Sequence, residues 1–167
     1  WLGPARTWID LLADQAPQGL EVVRGSSTYT VMGNWKLQAE NGADGYHVST
    51  VHGVFAKTVA NRQAKNRVEG MGKTEAGRMT GNVSSGCYHF ANGHMGIWAQ
   101  HTTPEVRPSW REKPRLDQAY SPERVHWMLN RGRNLYLFPN VFIMDNPSSQ
   151  IRTLTPIAPG ICEVTVR

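Results

Sequence analysis

The sequence predicts an α+β fold built around an antiparallel sheet, and three observations carry that expectation. Runs of strand composition follow one another through the second half of the chain, with turn signals between them. Only one segment there has a full set of helix start, face and stop signals. The chain has 167 residues, 40% of them hydrophobic and 19% charged, which is the size and composition of one globular domain.

Taken in order, LEVVRGSSTYTV at 20–31 reads as two short strands around a Gly25–Ser27 turn. From about Asn34 to His52 a helix is expected, capped by Asn34, with Leu37, Tyr46 and Val48 available for packing. Residues 53–85 are polar and Gly-rich without a sustained period, and read as a long loop with marginal strands. CYHFA and HMGIWAQ flank Asn92-Gly93, a strong hairpin signal. Residues 104–117 carry three prolines and alternating charges, and read as a solvated loop. In SPERVHWMLNRG, Ser121 caps, Pro122 takes the first helical position and Glu123 suits the positive end. Val125, Met128 and Leu129 form its apolar face and Gly132 is the expected stop. NLYLFPNVFIMD, SQIRTLTPI and ICEVTVR then read as three strands, with Pro159-Gly160 as the last turn.

Composition narrows the function classes. No run of about 18 apolar residues and no basic-then-apolar leader is present, so neither a membrane span nor a signal peptide is expected. Two cysteines, Cys87 and Cys162, do not make a disulfide framework, and a reduced, cytoplasmic setting is expected. The net charge of +5 is scattered, with no aromatic residues alternating along a basic stripe, so nucleic acid is not an expected partner. The chain opens at Trp1 without Met and ends at Arg167 inside a strand-like run, so a longer polypeptide is expected.

NWKLQAENGADGYHVSTVH, at 34–52, crowds Glu40, Asn41, Asp44, His47 and His52 around Gly42 and Gly45. Asn41, Asp44 and His47 are spaced by three, which puts them on one side of a helix. His47 and His52 lie about 140° apart on an ideal helix, so both reach one metal only if it is distorted, widened or ended near His52. Gly45 and Gly53 make such irregularity plausible. Imidazole suits Fe, Zn, Cu and Ni alike, so the spacing leaves both the metal and ordinary, non-ligating histidines open. Asp44 favours metal binding, since metal-bound histidines usually hydrogen-bond a carboxylate through the other nitrogen. A zinc hydrolase fits poorly, because there is no H-E-x-x-H and Glu40 precedes the histidines.

The NWK opening, AEN, the D-x-Y-H step and the second histidine five residues on resemble the mononuclear-iron motif of Rieske non-haem iron, aromatic-ring-hydroxylating dioxygenase α subunits. GLEVVRGSSTYT, NGHM and NRGRNLYLFPNVFIMDNPSSQIR resemble the benzoate, toluate, anthranilate and aniline branch. The resemblance implies a helix-grip-like catalytic domain, a twisted antiparallel sheet with helices covering one face. It implies that His47 and His52 are ligands of a mononuclear Fe(II), that Asp44 bridges to a Rieske histidine of a neighbouring subunit for electron transfer, and that Asn41 lies near the iron.

The same resemblance implies O₂-dependent dihydroxylation of a small aromatic ring, with electrons from NAD(P)H through a reductase and a Rieske [2Fe–2S] centre. An α-subunit trimer, with or without a small β subunit, is the implied assembly. Val48, Val51, Phe55, Trp98 and Phe142 are candidate walls of the substrate pocket. Residues 1–167 would then be the central part of the catalytic domain, with the Rieske domain and the C-terminal end outside it. Cys87-Tyr88-His89 imitates half of a Rieske motif and His101 follows, but Trp98 stands where a cysteine is needed. Only three ligands could be assembled where the cluster needs four, so CYH is expected to be strand residues packing a core. Asp145 comes too early for the third iron ligand, which is expected past Arg167. A non-catalytic module that binds hydrophobic ligands is the alternative, because one architecture hosts many functions.

Overall fold

Period-two alternation decides which residues meet in this chain. The computed structural model describes residues 1–55, 57, 58, 61, 84–145 and 148–167. Its strands are β1 (Ser27–Val31), β2 (Ser85–His89), β3 (Met95–Gln100), β4 (Arg131–Leu137), β5 (Val141–Met144), β6 (Gln150–Ala158) and β7 (Ile161–Val166). They form one antiparallel sheet in the order β1-β7-β6-β5-β4-β3-β2. The helices that pack on it are α1 (Arg6–Ala13), α2 (Trp35–Ala43) and α5 (Pro122–Leu129), with a short α3 (His47–Val51) after α2 and α4 (Lys113–Ala119) resting on α1 and α5.

Neighbouring residues of β4 point to opposite sides. Tyr136 joins Phe142, Met144, Leu154, Cys162 and Val164 on one face, where α2 lays Ala39 and Ala43. Leu135 meets Ala5 and Trp8 on the other, ringed by Trp98, Trp127, Leu137 and Ile143. The α+β antiparallel architecture is as expected, but helices lie on both faces rather than one. The reason is in the sequence of β4 and β5, which carry large apolar side chains at odd and even positions alike and must bury both sides.

Two glycines set how closely those helices approach. A Cβ on Gly42 would lie 2.5 Å from the Phe142 ring, and one on Gly96 would lie 2.7 Å from the Trp8 ring. Gly42 thus lets the last turn of α2 rest directly on β5.

Several local expectations change. Residues 20–26 form no strand, and β1 is single, paired among the described residues with β7 alone. The helix expected across 34–52 is broken at Asp44, which is extended at φ −102°, ψ 155°. The break takes Asn41 and His47 off a common helix face. Asn34 does cap α2, accepting from the Lys36 amide at 3.0 Å. Leu37 and Tyr46 are exposed, however, and α2 packs through Trp35, Ala39 and Ala43.

NLYLFPNVFIMD is a hairpin, not one strand, turning at residues 138–140. Proline at 139 carries no N–H for a ladder, so the strand ends before it. The proline-rich stretch from 104 is not a plain loop. Its prolines open 3₁₀ turns at Pro104–Val106 and Pro108–Glu112 and then α4, whose Leu116 is fully buried. In α5, Ser121 accepts from the Arg124 amide and Val125, Met128 and Leu129 are buried. Gly132 is not its stop but a buried residue of β4. Cys87, Tyr88 and His89 do lie in a strand, but all three are exposed. Of the long loop expected at 53–85, residues 56, 59, 60 and 62–83 fall outside the described residues.

Candidate functional site

Asp44 organises the segment after α2. Its Oδ1 accepts from the amides of Tyr46 (2.7 Å) and His47 (3.2 Å), satisfying donors at the start of α3 that would otherwise lack partners. Its Oδ2 lies 3.0 Å from His47 Nδ1. Partial burial pushes the Asp44 carboxyl up, but the His47 amide and ring and the Tyr46 amide together hold it below the usual carboxylate range. The carboxylate is therefore an acceptor on both oxygens. With Nδ1–H donating to it, neutral His47 presents an unprotonated Nε2, the form a metal requires.

His52 closes α3 with φ −91° and ψ −2°, well away from regular helix. The rings of His47 and His52 have centroids 5.1 Å apart at 67°. Two imidazoles bound to one cation at about 2.0–2.1 Å, with about 90–110° between the bonds, have centroids about 4.5–5.2 Å apart. The observed centroid separation falls in that range. His47 and Asp44 are mostly shielded, with side-chain exposures of 19% and 26%.

The other predicted residues scatter. Asn41 is exposed on the last turn of α2, and Glu40 is exposed beside it. Val48 is half-buried, while Val51 and Phe55 are exposed. Phe142 is in the core beneath Gly42. Trp98 pairs with Arg133 on the α1/α5 face, so the sheet separates it from α2. It cannot share a wall with residues on the α2 side.

Asp145 is committed elsewhere. It accepts from Arg107 Nη2 at 2.7 Å and Arg133 Nη2 at 3.3 Å, and Arg107 Nη1 lies 2.6 Å from His101 Nε2. Arg133 is buried, which lowers its pKa, while Asp145 works in the opposite direction. This network ties the 3₁₀ segment around Arg107 to the ends of β4 and β5, which explains an aspartate that sequence reasoning left without a role. Among the described residues, no group of three or more His, Cys, Asp and Glu is arranged to hold a metal. Cys87, His89 and His101 therefore do not form a cluster site; His101 is buried against Arg107 while Cys87 and His89 face outward.

Residues 20–167 match a family described as the ring-hydroxylating alpha subunit, catalytic domain. The chain is 43% identical over 166 residues to the toluate 1,2-dioxygenase subunit alpha of Pseudomonas putida, covering 99% of this chain and 36% of that protein. It is 42% identical over 171 residues to the anthranilate 1,2-dioxygenase large subunit of Acinetobacter baylyi, covering 98% and 36%. The chain thus spans about a third of the length of the curated relatives it matches. A solved structure of a naphthalene 1,2-dioxygenase mutant bound to phenanthrene superposes with a TM-score of 0.71 at 18% identity, over 99% of this chain and 37% of that one. At that identity the likeness is one of fold.

Proposed function

The chain belongs to the family of ring-hydroxylating α subunits, and on that premise we propose that the complete α subunit carries out O₂-dependent dihydroxylation of a small aromatic ring. The toluate and anthranilate relatives are named for aromatic acids, and the proposed substrates are benzoate-, anthranilate- or aniline-like. The observation that supports this most directly is the pairing of His47 and His52 at 5.1 Å, with the Asp44 carboxylate on His47 Nδ1.

His47 and His52 are the proposed protein ligands of a mononuclear Fe(II), with a carboxylate beyond Arg167 as the third. When bound, Fe(II) supplies the activation of O₂ beside the substrate. Asp44 keeps the His47 proton on Nδ1 and fixes the plane of the ring. The same carboxylate, still partly exposed, is the proposed bridge for electrons arriving from a neighbouring subunit. Asn41 is proposed to stand near the iron without ligating it. The electrons are proposed to come from NAD(P)H by way of a reductase and a Rieske [2Fe–2S] centre in a region upstream of Trp1. Residues 1–167 are proposed as the central part of the catalytic domain, working in a cytoplasmic α trimer that a small β subunit can accompany. No helix among the described residues is long and apolar enough to cross a membrane.

The test is the complete α subunit purified with its reductase. Bound iron and diol formed per NADH oxidised are measured for the native protein and for His47→Ala. The proposal expects about one mononuclear iron per subunit beyond the cluster, and loss of both iron and product in the variant. An iron-replete, reductase-coupled preparation that binds aromatic ligands but forms no diol would favour the non-catalytic binding module.

A further inference from the structure

Strand register shows which side chains share the α2 face of the sheet. Across its middle run Val166, Arg152, Phe142, Tyr136 and Met95, with Gln150, Met144, Asn134 and Ile97 in the next row. Among the described strand residues of that face, Arg152 is the only Arg, Lys, Asp or Glu. It stands beside Phe142, the ring on which Gly42 rests, two residues before Asp44.

Its hydrogen bonding is incomplete. Arg152 Nη2 donates to Gln150 Oε1 at 3.0 Å, and Gln150 is held in turn by donating Nε2 to Ser148 Oγ at 2.8 Å. Arg152 Nε is buried and donates to nothing, and the residue makes no ion pair among the described residues. Two other arginines have a buried, unpartnered Nε, but each has its charge answered. Arg124 pairs with Asp14 at 2.7 Å, and Arg131 lies over the rings of Trp98 and Trp127 at 4.2 and 3.8 Å. Among the described residues, Arg152 has only a neutral amide as partner. A guanidinium cannot shed its proton, and a shielded one without a counter-charge is costly. Its planar fork matches a carboxylate.

We propose that Arg152 binds the carboxylate of the aromatic substrate, with Gln150 holding the guanidinium in place. This rests on the function proposed above and narrows it, because it selects ring carboxylic acids over anilines and neutral arenes. The other source of the same chemistry is a protein carboxylate from outside the described residues, in which case Arg152 is a structural ion pair.

The experiment uses the complete α subunit with its reductase. Benzoate and the neutral benzamide are compared in the native protein, Arg152→Gln and Arg152→Lys, by turnover and by calorimetric Kd. Loss of one charge-assisted pair should weaken benzoate about 10- to 100-fold in KM and Kd, with partial recovery in Arg152→Lys. Benzamide binding should change less than about threefold, on the order of ordinary variation between surface variants. Unchanged benzoate affinity in Arg152→Gln would overturn the assignment. Equal weakening of both ligands, together with a lower melting midpoint, would assign Arg152 to a structural ion pair and overturn it too. If the native protein forms no NADH-dependent diol, the dioxygenase reading fails, while the calorimetric comparison still decides the carboxylate site.

Discussion

Adding one methyl group at Gly42 tests whether α2 is seated by its glycine. The substitution Gly42→Ala would place Cβ 2.5 Å from both Cε1 and Cζ of Phe142. Carbon atoms rest about 3.5–4.0 Å apart, so the helix or the ring must give way by about 1.0–1.5 Å. The ring has little freedom, being 1% exposed and stacked on Tyr136 with centroids 4.7 Å apart. Overpacking costs about 1–3 kcal/mol, and a contact this short against a locked ring belongs to the upper half of that range, about 2–3 kcal/mol. Against it, alanine in a helix is favoured over glycine by about 1 kcal/mol. The net expectation is a loss of about 1–2 kcal/mol, or about 2–8 °C in the melting midpoint of a domain this size. The assay is thermal melting of the complete α subunit, with iron content read in parallel, since α2 carries the chain into Asp44. Gly42→Ala combined with Phe142→Leu should recover part of the loss. A single variant as stable as the native protein, or more stable, would refute the reasoning, because helix propensity would then outweigh the contact.

The remaining predictions follow from the same geometry. Asp44→Asn is expected to cut diol formation by at least 10- to 100-fold while most of the iron stays bound, as read by product assay and metal analysis; unchanged turnover would remove Asp44 from the mechanism. Asp145→Asn should destabilise the protein by about 3 kcal/mol, because it weakens the charge held between Arg107 and the buried Arg133. Iron per folded subunit should stay the same in that variant, and a loss of iron without a loss of stability would make Asp145 a ligand after all. The isolated chain of residues 1–167, offered divalent metals in competition, should prefer Cu²⁺, Ni²⁺ and Zn²⁺ to Fe²⁺ and form no diol with Fe(II), NADH and reductase; sustained product would mean that a carboxylate within this chain completes the site.

Much of the fold is legible in the sequence where a local signal agrees with packing. Ser121, Pro122 and the Val125, Met128, Leu129 stripe specify α5, and Asn92-Gly93 specifies the β2–β3 turn, with both residues at positive φ. Legibility fails where the deciding contact is distant in sequence. Nothing local says that Leu116 will be buried, so the proline-rich segment reads as solvated although its prolines open helical turns. The placement of Trp98 depends on register with Arg133, which composition does not contain. At the candidate site the residue types and spacing are readable in advance, but the break at Asp44 is not. Gly42 reads as a weak point in a helix, and only the Phe142 ring 100 residues away gives it a reason.

The break at Asp44 also answers how histidines five residues apart come to have ring centroids only 5.1 Å apart. A continuous helix would turn them about 140° apart. Here α2 ends at Ala43, Asp44 is extended, and His47 becomes the first residue of a new short helix that finishes at His52. The carboxylate that makes this possible does two jobs with two oxygens. Oδ1 takes the amides that begin α3, and Oδ2 takes the ring of His47. An asparagine has one acceptor oxygen for the two jobs. If its oxygen caps α3, its amide faces His47 Nδ1 as a donor, which favours the ring proton on Nε2 and opposes a metal there, so a bound metal would turn the oxygen toward the ring instead. If its oxygen faces the ring, the start of α3 loses its acceptor, at a cost of about 1 kcal/mol. Helix geometry and imidazole tautomer are thus fixed by one residue, and only a side chain with two equivalent acceptors satisfies both at once.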